Sequence, residues 1–470
     1  MSRKVHLSSL GCPKNQVDAE VMLGTLVAEG YEVTLDPAEA DVLIVNTCSF
    51  IEPAKEESIE TILEMANHKA DGRSKKLVVT GCLAERYGKE LQVEMPEVDA
   101  FVGTGDFLRL SEVLRDLGKP STGRPLAYVG AQHVLPDAKV PRILTEQAFS
   151  AYLKISEGCN HRCAFCIIPK IRGRHESRPV ADLVAEAEIL AGEGVRELNL
   201  IAQDLTAYGR DLTGAASLAE LLRRLARVEG IDWIRLLYCY PNYVTGELLE
   251  TIAEEPKICR YLDMPLQHGS DRMLRAMRRE RSGDSLRRLV ERIRTRIPDV
   301  ALRSSFIVGF PGETEKDFAD LCRFVTDLEL DRVGVFRYSR EENTEAGALP
   351  GQVAESVKEE RWHQLMQLQR DIARHKNATW VGREVPVLAC GLDAEGRRYG
   401  RTAAQAPEID GVVFLEDAFE AGELAPVKIT DSSDYDLVGR RADVAGDWPG
   451  VDSGGVRPQN RAPDFEKAEE

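Results

Sequence analysis

Short apolar strands alternate with helical segments in two long blocks of this chain, and that alternation leaves few folds open. From residue 4 to about 118 the strand-like runs VHLSSL, YEVTL, DVLIVN, KLVVT and DAFVG are separated by stretches such as QVDAEVMLGTLVAEG. Strands that alternate with helices pair in parallel, because each crossover lays a helix over the sheet. A second block, from about 150 to 376, holds six such strands: AYLKIS, RELNLIA, WIRLLYC, RYLDMPL, VALRSSFIVG and RVGVFRYS, each followed by helix-compatible sequence. Six βα units make a partial (βα)6 version of the eight-unit TIM barrel, whose working groups stand at the carboxyl ends of the strands. After a long helix over roughly 353–378 the pattern changes to EVPVLACG, RRYGRTAA, DGVVFLED and LAPVKITD, short strands with turns that read as a small β-barrel.

The expected organisation is an α/β chain in five parts. Residues 1–118 form a parallel α/β sheet domain and 119–144 a linker, marked by KPSTGRP and VLPDAKVPR. Residues 145–376 form the partial barrel, 377–445 the small β-barrel, and 446–470 a disordered tail rich in Gly, Pro and charge. At 470 residues the chain exceeds what one core usually serves. No apolar run approaches the roughly 18 residues of a membrane span, and the start MSRKVHLSSLGC lacks the apolar stretch of a secretory signal. The expectation is a cytoplasmic protein without a membrane partner, whose ten cysteines are reduced thiols available to metals or catalysis. A net charge of −17 opposes a broad phosphate-binding surface and suits a basic protein partner better.

Cys159, Cys163 and Cys166 form a C-x3-C-x2-C run directly after the strand AYLKIS. Three thiolates so closely spaced suit a 4Fe-4S cluster with one iron free of protein ligands. That iron could chelate S-adenosylmethionine, whose reductive cleavage yields a radical able to take hydrogen from an unactivated carbon. A structural zinc site, with His161 as fourth ligand, fits less well because such sites usually join two separated ligand pairs. His161 then reads as an ordinary loop residue. Cys12, Cys48 and Cys82 lie far apart in sequence, yet each closes a predicted strand: VHLSSLGC, DVLIVNTC and KLVVTGC. In a parallel sheet those ends share one edge, where ligands of open α/β folds bind, so these three are a second candidate ligand set. Three buried cysteines acting as small apolar residues is the other reading.

The segment YLKISEGCNHRCAFCIIPKIRGRHESR resembles the signature of radical S-adenosylmethionine methylthiotransferases, and ELNLIAQDLTAYG, YLDMPLQHGSDRMLRAMRR and SSFIVGFPGETEKDF extend the likeness. GCPKN, NTCSFIEPAKEES and GCLAERYG are similar to the amino-terminal domain of that family, and residues 376–443 resemble a TRAM domain. The resemblance implies two 4Fe-4S clusters, an auxiliary one on Cys12, Cys48 and Cys82 and a radical one on Cys159, Cys163 and Cys166. It further implies that one S-adenosylmethionine is methyl donor and a second the radical source. Gln203, Asp204, Gln267, His268, Arg303 and Ser305, in the motifs at the strand ends, are candidates for the pocket around cofactor and substrate; none is assigned as acid or base. Cys239, Cys259, Cys322 and Cys390 match no ligand position.

Gly11-Cys12-Pro13-Lys14-Asn15 is similar to the branch of the family that modifies small-subunit ribosomal protein S-twelve, giving a β-methylthiolated aspartate. That reading needs an electron donor and a sulfur donor as further partners. The terminal barrel region carries 8 Lys and Arg against 13 Asp and Glu, a balance of −5, which suits a basic protein. A transfer-RNA adenosine methylthiotransferase and a non-catalytic iron–sulfur electron carrier are the alternatives.

Overall fold

A computed structural model describes residues 3–71, 76–119, 124–131, 135–214 and 216–442. The first sheet is six-stranded and wholly parallel: β1 (Lys4–Ser9), β2 (Glu32–Val33), β3 (Val42–Thr47), β4 (Lys76–Gly81), β5 (Ala100–Val102) and β6 (Leu126–Tyr128), in the order β2-β1-β3-β4-β5-β6. Central β3, VLIVNT, is buried on both faces, as expected for a strand covered by helices on each side. Five of these strands correspond to the sequence expectation. The sixth is a correction, because β6 lies inside the segment 119–144 expected to be a linker. Three residues after Pro125 are too few to show a period, and only pairing with β5 makes them a strand.

The second sheet is open, parallel and sequential. It comprises β7 (Ser150–Lys154), β10 (Glu197–Ile201), β11 (Trp233–Leu236), β12 (Ile258–Asp263), β13 (Ala301–Val308) and β14 (Arg332–Arg337). Between the first two of these, β8 (Ser156–Glu157) and β9 (Glu176–Ser177) pair as a short antiparallel ladder that brackets the C-x3-C-x2-C loop. Alternate residues divide the sheet. Leu153, Leu198, Ile234 and Leu262 pack under the helices, whereas Tyr152, Ile201, Trp233, Tyr261 and Ala301 face the concave side.

Six strands cannot close on themselves, and the terminal barrel covers the opening. It is a closed five-stranded barrel of β15 (Glu384–Leu392), β16 (Arg398–Thr402), β17 (Val413–Leu415), β18 (Leu424–Ser432) and β19 (Leu437–Arg441). Its Leu388, Cys390, Ala406 and Leu424 join the concave-side core, each large apolar side chain so buried contributing roughly 1.5–3 kcal/mol. At the same boundary Glu197 stands fully buried between Arg235, at 2.9 Å, and Arg401 of the small barrel, at 2.5 Å. The predicted long helix is present as Glu355–Ala378. The tail 446–470, expected to be disordered, lies outside the described residues.

Candidate functional site

The register of the first sheet brings its three cysteines to one edge. Ser9 pairs with Asn46, and Asn46 with Thr80, so these residues form one row at the carboxyl edge. Cys12, Cys48 and Cys82 follow that row by three, two and two residues. Cys12 caps helix α1 (Pro13–Ala28), and Cys82 begins the helix Cys82–Glu94. Two of the three are preceded by glycine with positive φ, Gly11 at 97° and Gly81 at 93°. A Cβ on Gly81 would lie 2.5 Å from Asn46 Oδ1 and 2.6 Å from the Thr47 carbonyl. Gly81→Ala is therefore expected to cost more than about 1 kcal/mol, seen as a lower denaturation midpoint. An unchanged midpoint would show that the turn relaxes.

Asn15 ties this edge together: its Nδ2 donates to the carbonyls of Leu10 and Thr47, both at 2.9 Å. Ser58 Oγ donates to the Cys48 carbonyl at 2.9 Å and accepts from the Cys48 N–H at 3.1 Å. Burial pushes the Cys82 thiol up to about 12, against the opposing pull of Arg172, and raises Cys48 as well. Arg172 Nη2 stands 3.6 Å from Cys82 Sγ and also donates to Asn15 Oδ1.

Arg172 belongs to the central domain, so the two domains meet at this cluster of thiols. It bonds Asp18 at 2.8 Å and Glu157 at 3.1 Å, while Lys154 bonds Glu157 at 2.8 Å and also Asp18. All four charged groups are buried. Nearby, Arg142 joins Glu20 of α1 to Glu186, and Glu341 receives Arg86 at 2.8 Å and Lys55 at 3.2 Å. Buried ion pairs of this kind contribute less to net stability than to fixing one arrangement, because desolvation offsets much of their attraction.

Cys159, Cys163 and Cys166 sit in the loop that opens after Glu157, beyond β7 and β8. Burial pushes Cys159 up to about 11 and Cys166 up to about 12. Arg279 Nη1 lies 3.5 Å from Cys163 Sγ, its guanidinium over the Tyr240 ring. His161 is more than a loop residue, which corrects the sequence expectation. Its Nε2 donates to Asp204 Oδ2 at 2.6 Å and its ring stacks on Tyr240 at 3.7 Å. Open clefts of about 410 and 230 Å³ adjoin Cys159 and His161. The two cysteine regions are neighbours, since Cys82 packs against Ile167 and Ile171, just after Cys166. Among the described residues no three His, Cys, Asp or Glu side chains are drawn together as ligands of one metal ion. The thiols are thus grouped by place in the fold, each trio with an arginine beside one sulfur.

The other predicted site residues divide. Gln203 donates to Glu157, and its Oε1 is buried without a partner. Asp204 holds His161 and accepts from Thr206 at 2.7 Å. Gln267, at φ 73°, bridges to β13 through its backbone. His268 is wholly buried, accepting from the Ser270 N–H at 2.9 Å and facing Glu313 at 3.5 Å, which makes it a packing element of its loop. Arg303 bonds Asp263 at 2.9 Å and faces Asp410 of the small barrel at 3.6 Å. Ser305 lies on β13 next to Phe306. Cys239, Cys259 and Cys390 are buried among apolar neighbours, and Cys322 is partly so. Sequence reasoning missed Asp18, Lys154, Glu157 and Arg172. All four lie within the quoted motifs, but partners up to 154 residues apart leave no local signal.

Lys14 was also missed as a site residue. It is buried, burial lowers its pKa to about 8, and its Nζ lies 3.0 Å from the centroid of the Tyr238 ring, at the carboxyl end of β11.

The half-open parallel sheet with a three-cysteine loop after its first strand defines the class. Residues 153–325 match the radical SAM superfamily, 4–103 the family described as uncharacterized protein family UPF0004, and 381–441 the TRAM domain. The chain belongs to the RimO family of ribosomal protein uS12 methylthiotransferases. It is 51% identical over 439 residues to the RimO of Geobacter sulfurreducens, covering 93% of this chain and 98% of the relative. To that of an Anaeromyxobacter species it is 52% identical, covering 93% and 92%. The fold is shared with the radical S-adenosylmethionine methyltransferase TsrM of Kitasatospora setae, at a TM-score of 0.54 and 17% identity, covering 74% of this chain and 75% of that one. Among the described residues no helix is long and apolar enough to cross a membrane.

Proposed function

We propose that this chain methylthiolates an aspartate of ribosomal protein uS12, using S-adenosylmethionine and two 4Fe-4S clusters. The single observation that carries this reading is the pair of cysteine trios on facing domain edges, within a chain about half identical to RimO proteins along nearly its whole length. Cys159, Cys163 and Cys166 would hold the cluster that, with S-adenosylmethionine bound, supplies a radical able to activate the β-carbon of aspartate. Cys12, Cys48 and Cys82 would hold the auxiliary cluster, whose iron without a protein ligand would carry a sulfur species delivered by the sulfur donor and methylated by S-adenosylmethionine.

The protein's own residues do the positioning. Asn15 fixes the edge that carries the first trio, and Arg172 sets its positive charge against Cys82 while anchored on Asp18 and Glu157. Arg279 does the same for Cys163. The Asp204–His161–Tyr240 contacts hold the radical loop in one conformation. Gln203, with its buried free oxygen, remains the strongest of the predicted pocket residues for receiving a cofactor or substrate N–H or O–H.

The test offers equal amounts of uS12 and unmodified transfer RNA to the reconstituted protein under reducing, anaerobic conditions. The expected product is a peptide carrying a methylthio group, with the nucleosides unchanged. Methylthio-adenosine without modified peptide would transfer the reading to the nucleic-acid branch. Association with the basic protein should also weaken as salt rises, since surface attraction is screened over about 8 Å at physiological ionic strength.

A further inference from the structure

Among the described residues, Lys154, Arg172 and Arg303, cations buried or largely buried along the domain boundaries, are matched by carboxylates, and Lys14 is not. Lys154 and Arg172 share Asp18 and Glu157, and Arg303 has Asp263 and Asp410. Lys14 is 7% exposed and, among the described residues, its ammonium has no carboxylate or carbonyl within hydrogen-bond distance. The ammonium rests on the face of Tyr238. The charge that favours the ammonium comes first from the Cys12 sulfur and only then from Asp263 and Glu157, with Arg172 opposing, and both carboxylates are already engaged: Asp263 by Arg303 and the Tyr238 N–H, Glu157 by Lys154 and Arg172. A buried ammonium left without an anion is costly, and an aromatic face compensates only in part.

The placement is as informative as the missing partner. Lys14 stands two residues after Cys12, in the first turn of α1, where helix N–H groups already favour negative charge. From there it reaches across to Tyr238 at the carboxyl end of β11, the side of the central sheet on which the radical loop also lies. Tyr238 is held with φ at 62°, its N–H on Asp263, so the aromatic platform under the ammonium is itself fixed. An anion bound here would lie beside Cys12 and Tyr238, at the carboxyl end of the central sheet.

We propose that Lys14 receives the side-chain carboxylate of the target aspartate and so selects an acidic residue as acceptor. This rests on the functional reading above. An aspartate whose carboxylate pairs with Lys14 has its β-carbon one bond from the held group, anchored beside the first cysteine trio at the carboxyl end of the central sheet. The thiolates of Cys12 and its neighbours are the competing counter-charge, and the experiment separates the two.

Anaerobically reconstituted protein is titrated with uS12 and with uS12 whose acceptor aspartate is changed to asparagine. The wild type should bind the aspartate form more tightly, on the order of 30-fold or more. Lys14→Met should bind both forms alike, with the iron content and electron paramagnetic resonance spectra of the wild type, and Lys14→Arg should keep the preference. Equal affinity of the wild type for the two forms overturns the proposal without reference to any variant. A Lys14→Met protein that retains the preference overturns it too. If that retention comes with an altered auxiliary-cluster spectrum, the ammonium belongs to the thiolates. Failure of the wild type to bind either form would instead remove the functional reading on which this one stands.

Discussion

Replacing Cys159, Cys163 and Cys166 together by alanine is expected to abolish 5′-deoxyadenosine formation and to remove about half of the iron, roughly four of about eight atoms per chain. The complementary variant, with Cys12, Cys48 and Cys82 changed, should lose a similar share of iron but still release 5′-deoxyadenosine, while transferring no methylthio group. The asymmetry follows from the architecture. Each trio is carried by its own parallel sheet, one at the edge row Ser9–Asn46–Thr80 and the other on the loop after β7 and β8. Iron analysis with product chromatography checks both halves. Loss of all iron in either variant would mean that the trios build one site, which their neighbourhood through Cys82, Ile167 and Ile171 makes a real contrast to test.

Glu197→Gln should destabilise the protein by about 3–5 kcal/mol, because it leaves the buried Arg235 and Arg401 without their shared counter-charge. Burial alone would raise the Glu197 pKa, but Arg401 and Arg235 outweigh it and hold the carboxyl well below the usual range. With a depressed folded-state pKa, the stabilisation is fully present above the ordinary glutamate value of roughly 4.3 and is lost as pH falls below it toward the folded value. The difference in denaturation midpoint between wild type and Glu197→Gln should therefore be widest near neutrality and shrink in acid. A gap independent of pH would assign the effect to packing. Limited proteolysis should find the small barrel released first, since Arg401 is the barrel's contribution to this site.

Much of the site was legible because strand ends are written locally. A β-branched run followed by Gly-Cys or Thr-Cys marks both the end of a strand and a turn, and in a parallel sheet such ends share an edge. That is why residues as distant as Cys12 and Cys82 could be grouped, and why the strand count of the central domain matched. The short pieces β6 and β19 were not legible, since three or five residues carry too little period and exist only through pairing with β5 and β18. Nor was the role of charge. Asp18, Lys154, Glu157 and Arg172 look like ordinary polar residues of a helix, a strand and two loops, and only the meeting of two domains makes them one buried network. His161 was misjudged for the same reason, since its partners Asp204 and Tyr240 arrive from later strands.

The concave-side core joins Tyr152 and Ile201 to Leu388, Cys390 and Leu424. During synthesis, therefore, the central sheet is complete in sequence long before its inner surface has anything to rest on. The helix-facing side can pack as each βα unit emerges, but the inner side stays wet until the last strands leave the ribosome. Nascent chains halted before residue 424 should thus expose an apolar trough to chaperones and proteases, and chains cut there should fail to yield a trimmed but sound enzyme. The small barrel is thus the final wall of the central domain rather than an attachment to it.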